Sequence, residues 1–184
     1  MQKNNSGLSK IQAVTAVAML TALSVIIGII CKNFLTFNVY YRITFENFPI
    51  LLAGIVFGPV LGALCGACAD IVSCLCSSNP MVIPLITLGA ASVGFLSGLV
   101  SKYIIKKQGA LNYAVSIAVA HIVGQVLIKS VAKIIWLGMP KIGVILGIAI
   151  SIIVGTVEFF GIRFIIKRGI LPGVSKSGKG SNGV

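Results

Sequence analysis

"NFPILLAGIVFGPVLGALCGACADIVSCLCSSNPMVIPLITLGAASVGFLSGLVS", residues Asn47 to Ser101, carries a single charge, Asp70. A helix crossing a bilayer needs about 20 apolar residues at 1.5 Å per residue. This stretch is too long for one crossing. Lys3 and Lys10 lie before the preceding apolar run, and Lys102, Lys106 and Lys107 follow this one. If both basic clusters face the cytoplasm, an odd number of crossings must fit between residues 48 and 101, and three use up the chain. Gly58-Pro59 supplies the first break and "SSNP", Ser77 to Pro80, the second. The spacing predicts helices over roughly 47–57, 60–77 and 82–101, the first of them short.

On the N-terminal side, Ile11 to Cys31 is uncharged and long enough to span. It is longer than the apolar core of a signal peptide, so it is taken as a retained first helix. On the C-terminal side two more crossings are expected, at about 110–137 and 142–166, separated by Gly138 to Lys141. The last one returns to Arg163, Lys167, Arg168, Lys176 and Lys179. The expectation is an all-α integral membrane protein: a bundle of six transmembrane helices with both termini cytoplasmic. Residues 1–170 form the membrane domain and 171–184 a disordered cytoplasmic tail.

Composition agrees. Of 184 residues, 57% are hydrophobic and 10% charged, against about a quarter charged in a soluble domain. The net charge of +12 is spread between apolar runs, as topogenic charges are, which argues against nucleic acid as a partner. Four of the five cysteines, Cys65, Cys68, Cys74 and Cys76, crowd one segment. On a helix the later pair points to different faces, and in lipid cysteine packs as a small apolar residue. Neither metal nor disulfide is expected. The tail holds Gly173, Gly178 and Lys179, one residue short of a Walker A pattern. It has no following Ser or Thr, strand or helix, so no nucleotide is expected there.

Small residues recur four apart, as in Gly54-x3-Gly58, Gly62-x3-Gly66, Ala90-x3-Gly94-x3-Gly98 and Gly143-x3-Gly147. Such pairs let helix backbones approach in lipid, and most read as internal packing. Ala18 and Ala22 form a similar face on the first helix, which could also receive a partner's helix.

Ionisable groups inside a membrane are functional candidates. The fifth helix reads "HIVGQVLIKSVAK", with His121, Gln125, Lys129 and Lys133 four apart. On an α-helix that is one polar stripe, expected to line a cavity open to the outside, with Trp136 near the interface. Asp70 could pair with Lys129 and Glu158 with His121. A surplus of cations would still suit an anionic, partly aromatic solute. Arg42 and Glu46, in "YYRITFENFPI", either pair with each other or meet the ligand. Tyr40, Tyr41, Phe45 and Phe48 around them read either as a lid over the cavity or as an interfacial aromatic belt.

"RITFENFPILLAGIVFGPVLGALCGACADIVSCL", followed by "NPMVIPLITLGAASVGFLSGLVSK", resembles the folate branch of the substrate-binding S components of energy-coupling factor (ECF) transporters. The likeness spans about Arg42 to Lys102 and includes the Ala18-x3-Ala22 face; it fades after residue 110. "RITFEN" and the "NP…P.ITLGA" segment carry the folate character.

The resemblance implies a non-enzymatic vitamin-binding subunit of the cell membrane, capturing its ligand on the outer side under a gate formed by the first connection. It implies as partners a transmembrane coupling subunit and two cytoplasmic ATPases, which alone use ATP; the chain itself needs no cofactor. Ala18 and Ala22 inherit the coupling surface. For folate, Asp70 could take the pterin edge, and Arg42, Lys129 or Lys133 the glutamyl carboxylates. Phe45 or Trp136 could stack on the ring, and Asn79 and Thr87 could bond polar edges. Other ligands of the same fold stay open: a related pteridine, pantothenate, riboflavin or a queuosine precursor. A rival of another class is a small autonomous transporter or channel. A membrane enzyme lacks any paired nucleophile and base at recognisable spacing.

Overall fold

A computed structural model describes residues 10–34, 45–76, 83–104, 110–138 and 141–168. Seven α-helical segments make up six rods among these residues. They are α1 (Lys10–Phe34), α2 (Asn47–Phe57), α3 (Pro59–Leu75), α4 (Pro84–Leu99), α5 (Ala110–Ala120), α6 (Ser130–Leu137) and α7 (Lys141–Arg168). A π-helical turn, Val100–Ile104, extends α4, and a π-helical stretch, His121–Lys129, joins α5 to α6 into one rod. Four rods are long and apolar enough to cross a membrane, while α2 and α3 are shorter. The expected rods are all present, and their ends fall within a few residues of the expected breaks.

The breaks have local causes. At Gly58 φ is +105°, a conformation that favours glycine, and Pro59 occupies the first turn of α3, where its missing N–H costs nothing. A single residue therefore turns the chain from α2 into α3. The Lys102 ammonium donates to the carbonyl of Phe57 at 2.9 Å, satisfying one of the open acceptors at the end of α2. Gly138 ends α6 with φ +64°, the left-handed cap expected of glycine.

Backbone proximity, rather than large side chains, joins α2, α3 and α4. A methyl group on Gly94 would collide with the carbonyl oxygen of Gly62, and one on Gly62 with that of Gly94. Gly66 lies against the carbonyl of Ala90, and Gly54 against Ser97 and Gly94. The small-residue pairs of these three helices are thus internal contacts. Gly147 on α7 differs, since a methyl group there would meet nothing within 4 Å.

The core is the ring of apolar residues around α2, including Ile50, Leu51, Leu52, Val93, Ala120 and Ile162. Outside it, large apolar side chains point away from the bundle. Met19 is 70% exposed, Ile153 66% and Phe160 63%. Such faces are stable against hydrocarbon and costly in water.

Candidate functional site

The shortness of α2 shapes the site. Pro49 cannot donate a backbone hydrogen bond and so belongs to a first turn, which places the start of α2 at Asn47. That start is not level with the end of α1. Ser24 Oγ donates to the Glu46 carbonyl at 2.7 Å, and a methyl on Gly28 would sit 2.9 Å from Glu46 Oε2. Ser24 and Gly28 lie six to ten residues before Phe34, the last residue of α1, or about 9–15 Å at 1.5 Å per residue. The chain re-enters the bundle part-way down, carrying a carboxylate with it.

All three acidic residues of the chain are buried, and each faces a basic group. Asp70, 3% exposed, has Oδ1 3.9 Å from Lys32 Nζ and Oδ2 accepting from Thr87 Oγ1 at 2.8 Å. Lys32 also donates to Ser73 Oγ at 2.6 Å and approaches Cys74 Sγ at 3.0 Å. Glu46, 4% exposed, faces Lys129 with 3.8 Å between Oε1 and Nζ. Glu158, 1% exposed, meets His121 Nε2 at 2.6 Å, and His121 Nδ1 lies 3.1 Å from Ser151 Oγ. Paired burial is how ionisable groups are accommodated away from water.

One expected pairing is overturned. The expected Asp70–Lys129 pair does not form. Asp70 lies only five residues from the end of α3, level with Lys32 in the last turn of α1, so the nearest cation comes from α1. Lys32 turns inward, to Asp70 and Ser73. Lys129 is left to face Glu46, across the recessed start of α2. The Glu158–His121 pair forms as expected.

The polar stripe of the fifth rod is also altered. Residues 121–129 are π-helical, with one residue more per hydrogen-bonded ring than an α-helix, and the polar groups of the rod divide between two neighbours. His121 turns to α7, reaching Ser151 and Glu158. Lys129 turns to α4 and α2, its Cγ packing where a Gly89 side chain would stand. Gln125 and Lys133 are half-buried, as are Phe45 and Thr87. Trp136 is 56% exposed. Ala18 and Ala22 lie on an exposed face of α1. Arg42 and Asn79, with Tyr40, Tyr41 and the tail from residue 171, lie outside the described residues.

Sequence reasoning missed Lys32, Ser24, Ser73, Ser151 and Asn47. Lys32 carried a signal: it directly follows an uncharged span and shares the depth of Asp70 once α3 is given its true length. Asn47 carried none beyond its place beside Glu46. Its side chain is completely buried, and neither amide atom has a hydrogen-bond partner among the described residues.

Three ion pairs buried within an apolar bundle are the functional candidates of a membrane chain. The chain matches the ECF transporter substrate-specific component family over residues 12–167. It belongs to that family: it is a substrate-specific membrane component of an ECF transporter, a transporter subunit and not an enzyme, serving a vitamin-type substrate together with the ECF coupling and ATPase module. No curated protein matches the chain.

Proposed function

We propose that the vitamin is folate, bound where the recessed start of α2 meets α4 and the π-helical stretch. The observation that carries this reading is the set of polar groups gathered there. Glu46 and Lys129 face each other there at 3.8 Å, and Gln125 and Lys133 follow on the same rod. The "RITFEN" and "ITLGA" segments, which give the sequence its folate character, supply Glu46 at the site and Thr87, through Asp70, beside it. A folate molecule combines a flat heteroaromatic head with two carboxylates. Lys129, Lys133 and Arg42 would receive the carboxylates. Phe45 and Trp136 offer stacking surface, while Gln125 and Asn79 offer polar contacts; His121, with both ring nitrogens engaged, acts by holding Glu158. Asp70 has both oxygens engaged and acts by holding Thr87 and Lys32 in place.

In this reading both termini are cytoplasmic, the site opens outward, and the exposed Ala18-x3-Ala22 face docks on the coupling subunit. Two partner ATPases power release inward. Residues 1–170 form the membrane domain and 171–184 a cytoplasmic tail.

The test is binding to purified protein, followed by calorimetry and by quenching of Trp136, the one tryptophan of the chain. Folate, riboflavin and pantothenate are compared. Saturable folate binding with the other two inert is expected. Tight binding of riboflavin or pantothenate, with folate inert, rejects the folate assignment. Uptake by the chain alone in vesicles, without ATPases, would reject its dependence on partners.

A further inference from the structure

Asn47 Nδ2 and Oδ1 and Glu158 Oε1 are buried and have no hydrogen-bond partner among the described residues, and the buried Lys129 faces Glu46. An amide buried in this way loses its bonds to water with nothing in return, at a cost that native structures rarely tolerate. The three residues come from three separate elements that converge. Glu46 faces Lys129, and the ring of Phe48 packs where a Gly161 side chain would stand. Asn47 lies between Glu46 and Phe48 in sequence, so its backbone is held between the π-helical stretch and α7. Glu158 precedes Gly161 by one turn on that side of α7, and the charges of His121, Lys129 and Glu46 all act on it. Lys129 and Glu158 each have a charged counterpart that accounts for their burial. Asn47 has no counterpart of that kind among the described residues.

We infer that the Asn47 carboxamide is a ligand-contacting residue that sets specificity, held without protein partners so that it can bond a ring edge carrying a donor beside an acceptor. Its Nδ2 donates and its Oδ1 accepts side by side. The complementary chemistry is a heteroaromatic lactam, with a ring N–H next to a ring carbonyl, which Asn47 engages through two parallel hydrogen bonds. This deepens the folate proposal, on which it rests for the identity of the ligand: the pterin head carries such an edge. It places the head deep, at Asn47, and the carboxylates farther out toward Lys133 and the α1–α2 connection.

The test uses Asn47→Leu and Asn47→Ser in the full chain, with folate and pterin-6-carboxylate as probes. Loss of two hydrogen bonds predicts a fall in affinity of about 10- to 100-fold. The fall should be equal for the two probes, because both keep the ring. Ligand-free thermal unfolding supplies a readout independent of ligand identity. Asn47→Ser adds no bulk, and because the amide it removes makes no hydrogen bond it should unfold close to the parent. Unchanged folate affinity in Asn47→Ser, or a ligand-free unfolding temperature of Asn47→Ser well below the parent's, overturns the inference. If the parent protein itself fails to bind folate, the vitamin assignment falls. The binding comparison, repeated with Asn47→Ser and riboflavin, whose ring carries a lactam edge, together with the ligand-free stability comparison, then still decides the role of Asn47.

Discussion

Lys32 and Asp70 meet across α1 and α3, with 3.9 Å between ammonium and carboxylate and side chains 7% and 2% exposed. They fasten the end of the first rod to the third at the level where Thr87 enters from α4. A buried pair of this kind adds little net stability, but removing one partner strands the other. Lys32→Met is expected to destabilise by about 3–5 kcal/mol, read from unfolding of the purified protein. Lys32→Met combined with Asp70→Asn should recover most of that loss. Additive losses in the double variant would show that the two residues do not act as a pair.

Glycine contacts within the α2–α3–α4 core predict a sharp positional contrast. Gly94→Ala places a methyl group on the Gly62 carbonyl, where only backbone movement can make room. We expect it to cost about 1–3 kcal/mol and to lower the yield of monodisperse protein. Gly147→Ala meets open space and should stay within about 0.5 kcal/mol. Equal behaviour of the two variants in size-exclusion and thermal assays would contradict the packing described.

The π-helical stretch predicts tolerance to a deletion. A π-helix holds one residue more per ring than an α-helix, so removing exposed Leu127 allows the ladder to close as an α-helix while the flanking segments keep their faces. Removing exposed Ile153 from α7 has no such slack, and rotates every later residue by about 100°. The Leu127 deletion is expected to yield folded protein and the Ile153 deletion to aggregate. Loss of both would argue against the π-helical register.

The exposed Ala18-x3-Ala22 face predicts a separation of binding from transport. Ala18→Trp with Ala22→Trp adds bulk where nothing in the bundle is touched, so ligand affinity should be unchanged while uptake by the full transporter falls to background. Uptake at the parental rate would place the coupling surface elsewhere.

Much of the architecture was legible because it depends on one-dimensional quantities. Charge-free lengths mark the rods, and Gly58-Pro59 and Gly138 mark breaks because their backbone preferences are strong and local. The site was legible as a set of polar residues at the right end of the bundle, but not as a set of partners. Partner choice depends on depth to within a single turn. The five residues between Asp70 and the end of α3 decided for Lys32 over Lys129. The π-helical stretch left no mark in the residue pattern, and spacing alone did not show that His121 meets α7 while Lys129 meets α4 and Glu46. Asn47 escaped notice because an unsatisfied amide is defined by what surrounds it.

Carboxylates in this chain are all spent on internal partners: Asp70 on Lys32, Glu46 on Lys129 and Glu158 on His121. A positively charged vitamin entering the hollow would therefore find no uncommitted counter-ion, and would have to evict a resident lysine or histidine to gain one. If the proposed site is the binding site, this wiring disfavours cationic solutes before any shape complementarity is considered, and suits neutral rings and anions.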